Sequence, residues 1–429
     1  MTAAASVQAQ VGSPATNTSD RWPTADGRIV SRIRTELLAA FLKQMNAAQI
    51  PYCVLSGFQG YPDVIGSDVD FMVHPGDVER IAPMLATVAR RCGAQLVQAI
   101  RHETGAWYFV LAKQEGSSVG YLHPDCSTDY RRNGRLWLAA DEVLENRQRY
   151  KTFFVPSVAD EFAYYLIKKI LKQCITGEQL QRLGALYLSC PEDCQVRARR
   201  FWPERTVTAM EGALARQDLG WMRSNLPVLL PEMRASVAME GWSAQMKQQL
   251  REWRRLLERV VNPTGLRVAV CGGTKQRRAE LAMDLEQNLR PGFRRTRIVA
   301  EEESCVGLFR AVPEWLAKVR STLVIRKKEG TEAGRLTQDE ICFVLARPAA
   351  VCEWTGERVV SLDGTRSVQQ NVEYATRVTL EWMAARLRRR MEIAVLGEAS
   401  TTFRGEPRAD EVSEKVRKAY PSRAEARSG

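Results

Sequence analysis

The sequence predicts an α/β chain of several domains, and three observations predict it. Residues 27–150 read as helix, strand, strand, helix and then three more strands, which is a mixed unit with one main sheet. Residues 151–262 keep helical periods nearly throughout and make a central helical domain. After the break at Asn262-Pro263-Thr264-Gly265, residues 263–397 alternate strands with helices, the pattern of a parallel sheet. Residues 1–26 are rich in Ala, Ser, Thr and Gln and lack a basic start before an apolar core, so they read as a disordered N-terminus and not a signal peptide. Residues 398–429 are charged with no apolar face and read as a flexible tail.

Arg28 to Ile50 is predicted helical, because Ile29, Ile33, Leu37-Leu38, Phe41-Leu42 and Met45 keep helical spacing. Tyr52 to Leu55 is an apolar strand, followed by a loop rich in Gly and Pro, and Phe71 to Val73 is a second apolar strand. Asp77 to Arg91 is a helix that Gly93 ends. Ala94 to Ala99, Ala106 to Lys113 and Val119 to Leu122 are short strands separated by turn signals. Asp141 to Gln148 is a helix. A longer one reaches about Lys172, with Ser157 as its N-cap and Asp160 and Glu161 in its first turns. Leu180 to Leu188, Thr206 to Ala215, Leu219 to Leu229 and Pro231 to Val261 all fit helical periods, the last as one long helix. In the third domain, strands are predicted at Leu266–Cys271, Arg297–Ala300, Thr322–Ile325, Ile341–Ala346 and Arg358–Asp363. Helices are predicted at Arg277–Asn288, Val306–Lys318 and Val368–Arg390.

Composition narrows the class. With 429 residues, two or three domains are expected. Apolar content of 45% and charged content of 26% are those of a globular protein, and no apolar run is long enough to predict a membrane span. The ten cysteines are scattered, Cys190 and Cys194 being the closest pair, and there are three histidines. That is no zinc pattern, and the cysteines read as reduced thiols of a cytoplasmic protein. The net charge of +12 is concentrated in clusters at Arg131-Arg132, Arg197 to Arg200, Arg277-Arg278, Arg294 to Arg297 and Arg388 to Arg390. Such clusters invite contact with a polyanion, the plainer reading being solvated helix faces.

The chemistry centres on Gly66-Ser67-Asp68-Val69-Asp70, which opens the second strand. Side chains alternate along a strand, so Asp68 and Asp70 share a face. Two carboxylates that close repel each other unless a cation or a basic partner stands between them, and paired hard oxygens at the start of a strand suit Mg²⁺. The strand ending at Leu122 runs into His123-Pro124-Asp125, where a carboxylate at the end of a neighbouring strand would complete the site. His123 reads as a packing residue and not a ligand.

A strand, a Gly-bearing loop and a second strand opening on Gly-Ser-Asp-Val-Asp-Phe-Met-Val resembles the DNA polymerase β-like nucleotidyltransferases, in the form common among the small bacterial members. The resemblance spans about Ile29 to Lys172. It implies that Asp68 and Asp70 bind two Mg²⁺ ions and the triphosphate of an NTP. The third acid would be Asp125, with Asp129 as the alternative, which would hold one metal and help deprotonate an acceptor hydroxyl. It further implies that the backbone at Ser56-Gly57, together with Ser67, approaches the nucleotide, and that Arg131, Arg132 and Lys168 contact phosphate.

The stretch Arg267 to Glu280 occupies the place of a P-loop, and its surroundings resemble thymidylate kinase-like domains, which are found fused behind nucleotidyltransferase domains. A working loop needs Gly-x4-Gly-Lys-[Ser/Thr]. Counted from Gly272, the second Gly falls on Arg277, the Lys on Arg278 and the Ser/Thr on Ala279, while Lys275 stands out of place. A degenerate kinase-like domain without kinase chemistry is therefore expected, its Arg277-Arg278 and Arg294-Arg295-Arg297 still able to meet an anion. The leading expectation is an Mg²⁺-dependent transfer of NMP from an NTP to an acceptor through Asp68, Asp70 and Asp125. The rival is an inactive binding or scaffold protein that uses the same folds to hold a polyanion or a partner.

Overall fold

The computed structural model describes residues 25–66, 68–261, 264–299, 322–328, 340–346 and 358–402. Of the disordered N-terminus expected over 1–26, residues 1–24 lie outside the described residues, as do the helix expected at Val306–Lys318 and the tail beyond 402, while Ala25 and Asp26 are corrected to the first turn of a helix.

The first unit comprises α1 (Ala25–Ala47), β1 (Tyr52–Val54), β2 (Val69–Val73), α2 (Val78–Arg91), β3 (Gln95–Glu103), β4 (Ala106–Glu115), β5 (Ser118–Leu122) and β6 (Pro124–Ser127). The sheet runs β1-β2-β6-β4-β3, with β5 also pairing β4. The β2–β6 pair is parallel and the other pairs are antiparallel, so the sheet is mixed as expected. Strand β6 has no counterpart among the sequence expectations. Pro124 is its first residue, a position where the missing N–H costs no ladder bond.

Side-chain alternation divides this sheet cleanly. Tyr52, Val54, Phe71, Val73, Leu96, Phe109, Leu111 and Leu122 point to one face and bury against α1 and α2 through Ile33, Leu37, Phe41, Ile81 and Leu85. Their neighbours point the other way, and two different layers cover them. Cys53, Leu55 and Met72 enter a core built by the helical region. Val97, Val110, Ala112 and Tyr121 enter a core built by the C-terminal unit. The second face is thus covered from two sides, with β2 and β6 between them.

The helical region begins with a hairpin of β7 (Tyr130–Arg132) and β8 (Arg135–Leu138), then α3 (Ala140–Glu145), then a second hairpin of β9 (Gln148–Tyr150) and β10 (Phe153–Val155). Asn133-Gly134, both at positive φ, form the first turn, an Asn-Gly signal of the kind that favours tight hairpins. Helices α4 (Val158–Lys172), α5 (Gly177–Ser189), α6 (Pro191–Arg199), α7 (Glu204–Ala215), α8 (Leu219–Ser236) and α9 (Trp242–Val261) follow. Ser157 caps α4 as expected, accepting from the Asp160 N–H. The single long helix expected at Pro231–Val261 is corrected. Pro231 lies inside α8, and the chain breaks instead between Ser236 and Trp242, where Val237 turns extended and Gly241 interrupts. A proline kept inside a helix while the break falls elsewhere is a tertiary outcome, because packing outweighs local propensity.

The C-terminal unit comprises β11 (Leu266–Gly272), α10 (Lys275–Leu289), β12 (Arg295–Val299), β13 (Thr322–Lys328), β14 (Glu340–Ala346), β15 (Val359–Asp363) and α11 (Val368–Thr402). Its strands are all parallel, in the order β12-β13-β11-β14-β15, as the alternating pattern predicted. Helix α11 continues past its expected end at Arg390, so residues 398–402 belong to a helix and not to a tail. No helix among the described residues is long and apolar enough to cross a membrane.

Candidate active site

The uncovered strip of the second face carries the acids. Asp70 and Asp125 are direct partners on the parallel strands β2 and β6, and Tyr108 of β4 stands opposite Asp125 on its other side. Three consecutive strands therefore present Asp70, Asp125 and Tyr108 in one row, with Asp68 just ahead of β2. The Tyr108 hydroxyl lies 3.5 Å from Asp68 Oδ1. A cleft of about 1170 Å³ opens over this row and takes in Asp68, Asp70 and Asp125 together. Asp129, the alternative third acid, is committed elsewhere. One of its oxygens accepts from the Ala140 N–H at 2.9 Å, and the other accepts from Arg131.

The electrostatics are those of crowded carboxylates. Burial pushes the Asp125 carboxyl up to about 7, with repulsion from Asp70 and Asp68 adding to it and Lys168 and Arg294 pulling back. Asp68 is likewise raised, by burial first and then by Asp70, against the pull of His123. Lys168 of α4 relieves part of the charge. Its ammonium is 3.1 Å from Asp70 Oδ2 and 3.2 Å from the Tyr164 hydroxyl. Burial alone would lower its pKa, yet Tyr164 and Asp70 hold it above the usual lysine value.

Of the other residues singled out in the sequence, Arg131, Arg132 and Lys168 line the same cleft and Ser56 reaches it through Asp70. Ser56 Oγ donates to Asp70 Oδ2 across 3.4 Å, and Gly57 holds φ at +74°, a conformation that favours glycine. Arg131 and Arg132 line the cleft, Arg131 paired with Asp129 and Glu240. Ser67 lies outside the described residues.

Four site residues escaped the sequence reading. His102 sits with Nε2 at 3.8 Å from Asp125 Oδ1. Burial, together with Arg294, Arg259 and Arg255, drives its pKa down to about 4, so the ring is neutral near pH 7. Tyr108 closes the row of acids. Pro291 and Arg294 arrive from the C-terminal unit. The Pro291 carbonyl accepts from His123 Nε2 at 2.9 Å, and Arg294 stands over the Tyr108 ring at 5.4 Å. That bond places a proton on Nε2, and a second proton on Nδ1, 3.8 Å from Asp68 Oδ1, is what gives the ring its pull on that acid. His123 also stacks against both Tyr108 and Tyr121, so it packs and orients. Strand alternation within β4 was a usable signal for Tyr108; Arg294 stood out only as part of a basic cluster, with nothing local to assign it to this site, and no local pattern marks Pro291.

The donor set suits a hard divalent cation in kind: three carboxylates at one end of neighbouring strands, with excess negative charge that raises Asp68 and Asp125. As the side chains stand, they do not form a closed cage, and no group of three or more such donors among the described residues is arranged to hold a metal. The Lys168 ammonium pairs with Asp70.

At the P-loop position, Gly272 and Gly273 both take positive φ, and a Cβ on Gly272 would meet the Leu345 carbonyl oxygen at 2.4 Å. Arg278 Nη1 donates to the carbonyls of Gly272 at 3.2 Å and Gly273 at 2.8 Å, and Arg277 donates to those of Gly364 and Arg366. A phosphate cradle needs N–H groups turned inward, whereas here a guanidinium fills the space against carbonyl oxygens.

No protein-family model, no curated protein and no solved structure matches this chain.

Proposed function

We propose that the chain is a nucleotidyltransferase of the DNA polymerase β-like kind, moving an NMP from an NTP to an acceptor hydroxyl at Asp68, Asp70 and Asp125. The observation that carries this reading is the register of Asp70 against Asp125 on adjacent parallel strands, with Asp68 beside them, on the floor of a cleft wide enough for a nucleotide and an acceptor. Mg²⁺, when bound to these carboxylates, supplies the positive charge that offsets the phosphates. Asp125, beside the neutral His102, is the residue best suited to take the proton of the acceptor hydroxyl. The new oxygen–phosphorus bond forms at the α-phosphorus as the bond to the leaving pyrophosphate breaks. Lys168, Arg132 and Lys172, all lining the cleft, are the cations available to the phosphates, and Lys168 would exchange Asp70 for a phosphate oxygen as metal binds. Cytoplasm is the compartment this reading implies.

The rival, an inactive chain that holds an anionic partner, draws on the Lys168–Asp70 pair, which already neutralises one acid. Labelling separates the two. The protein is incubated with Mg²⁺, α-labelled NTPs and candidate acceptors beside Asp68→Asn and Asp70→Asn. The expected outcome is transfer by the wild type and a loss of at least ~100-fold in either variant. Equal labelling by all three proteins would sink the proposal.

A further inference from the structure

Helix α9 is attached to the protein by the wrong face for a globular helix. Its half-buried polar side holds it to the body: Glu252 accepts from the Thr104 hydroxyl, and Arg255 Nη1 reaches the Arg101 carbonyl at 3.4 Å. The apolar side is left in solvent. Trp242 is 77% exposed, Met246 51%, Leu250 71%, Trp253 65% and Leu257 62%. Steps of four, four, three and four residues put these five within an arc of roughly 80° at ~100° per residue. No comparable stripe occurs elsewhere among the described residues, where exposed large apolar side chains are scattered. Lys247, Arg251 and Arg254 border the arc on one side, all exposed, Lys247 and Arg251 at the rim of the cleft and Arg254 away from it, paired to Glu258.

We propose that this face is a docking surface for an anionic lipid bilayer, on which α9 lies parallel to the membrane without spanning it. Charge complementarity selects this occupant. Two tryptophans with Leu and Met on one face, and lysine and arginine beside them, match what an interfacial helix presents to headgroups and acyl chains. A chain of net charge +12 adds attraction to acidic lipid. A second copy fits less well. Helix α9 holds five basic and two acidic residues, so self-pairing of this face sets a basic border near a basic border. The proposal does not depend on nucleotidyl transfer, and neither fails with the other.

Co-sedimentation of the full chain with vesicles tests it. Vesicles of phosphatidylcholine alone are compared with an equal mixture of phosphatidylcholine and phosphatidylglycerol, at low and raised salt. Binding to the mixed vesicles, weakened by salt and at least ~10-fold weaker to the neutral ones, is the expected result. Leu250→Glu with Trp253→Glu should lose at least ~10-fold in binding, while Met283→Glu, at an exposed apolar position on α10, should lose none. Arg254→Glu provides a second, charge-only variant, with an expected loss of ~10-fold. Circular dichroism melts should match the wild type, since every substituted side chain is exposed. Absence of binding to the anionic vesicles, or binding that the α9 variants leave unchanged, overturns the proposal. So does a concentration-dependent dimer that the Leu250/Trp253 variant dissolves, because that outcome assigns the face to a second copy.

Discussion

Asp125 bears the electrostatic strain of the cleft. Its side chain is only 27% exposed, and its pKa of about 7 stands well above the ordinary carboxylate value near 3.8. A raised carboxylate keeps its proton longer in the folded state than in the unfolded one. The folded state therefore binds more protons between about pH 4 and pH 7, and stability falls as pH rises through that window. Asp125→Asn removes the penalty. In metal-free buffer the variant should be more stable than the wild type at pH 8, by on the order of 2–4 kcal/mol, with the gain gone at pH 4. Thermal melts across pH read this directly. A variant that is less stable at pH 8 would mean that the carboxylate is held by favourable contacts and not by crowding. Added Mg²⁺ should then stabilise the wild type and not the variant, since only the wild type keeps the full set of acids.

Helix α4 shows how the helical region is fixed to the site it flanks. Its first turn carries Asp160 and Glu161, both buried, which pair with Arg197 of α6 and Arg182 of α5. Its last turns carry Lys168 to Asp70. Glu161 is raised by burial and held down by Arg182. Arg182→Leu would leave a buried carboxylate without its partner and should cost ~3 kcal/mol, read as a lower midpoint in urea. A loss under ~0.5 kcal/mol would show that Glu161 finds water instead. Elements of this kind were only partly legible in the sequence. Strand alternation and the Ser157 cap were local signals, and both hold in the structure. The shared face of Asp68 and Asp70 followed from alternation alone. Strand β6 was hidden by Pro124, and both hairpins by strands of only three or four residues, although Asn133-Gly134 did mark one turn. The break before α9 was missed although Gly241 marks it, because the apolar periodicity of the flanking segments runs on across that single residue. His102, Pro291 and Arg294 reach the site through pairings between residues far apart in the chain, which no window of sequence contains.

The two α/β units share a core, and this matters for the site. Val97, Val110, Ala112 and Tyr121 of the first sheet pack with Leu285, Leu289, Leu380 and Met383 of the second unit. Two bonds run alongside: Gln98 Nε2 donates to the Gly292 carbonyl at 2.6 Å, and the Tyr121 hydroxyl donates to Asn288 O at 2.7 Å. The same contact carries Pro291 and Arg294 to His123 and Tyr108. The C-terminal unit thus braces His123 and Tyr108 beside the cleft, while its own glycine loop is bonded through its carbonyls to Arg278. Val110→Asp, which places a carboxylate in the shared core, should cost about 3 kcal/mol and reduce nucleotidyl transfer along with stability. Calorimetry and the labelling assay would check the two effects on one sample, and intact transfer in a destabilised variant would separate the bracing from the chemistry. The central claim is that Asp68, Asp70 and Asp125 together hold a metal-bound nucleotide. Diffraction from crystals grown with Mn²⁺ and a non-hydrolysable NTP tests it most directly. The account predicts anomalous density between Asp70 and Asp125, with the triphosphate beside Lys168. Nucleotide bound elsewhere, or a cleft with neither metal nor nucleotide at saturating concentrations, would contradict it.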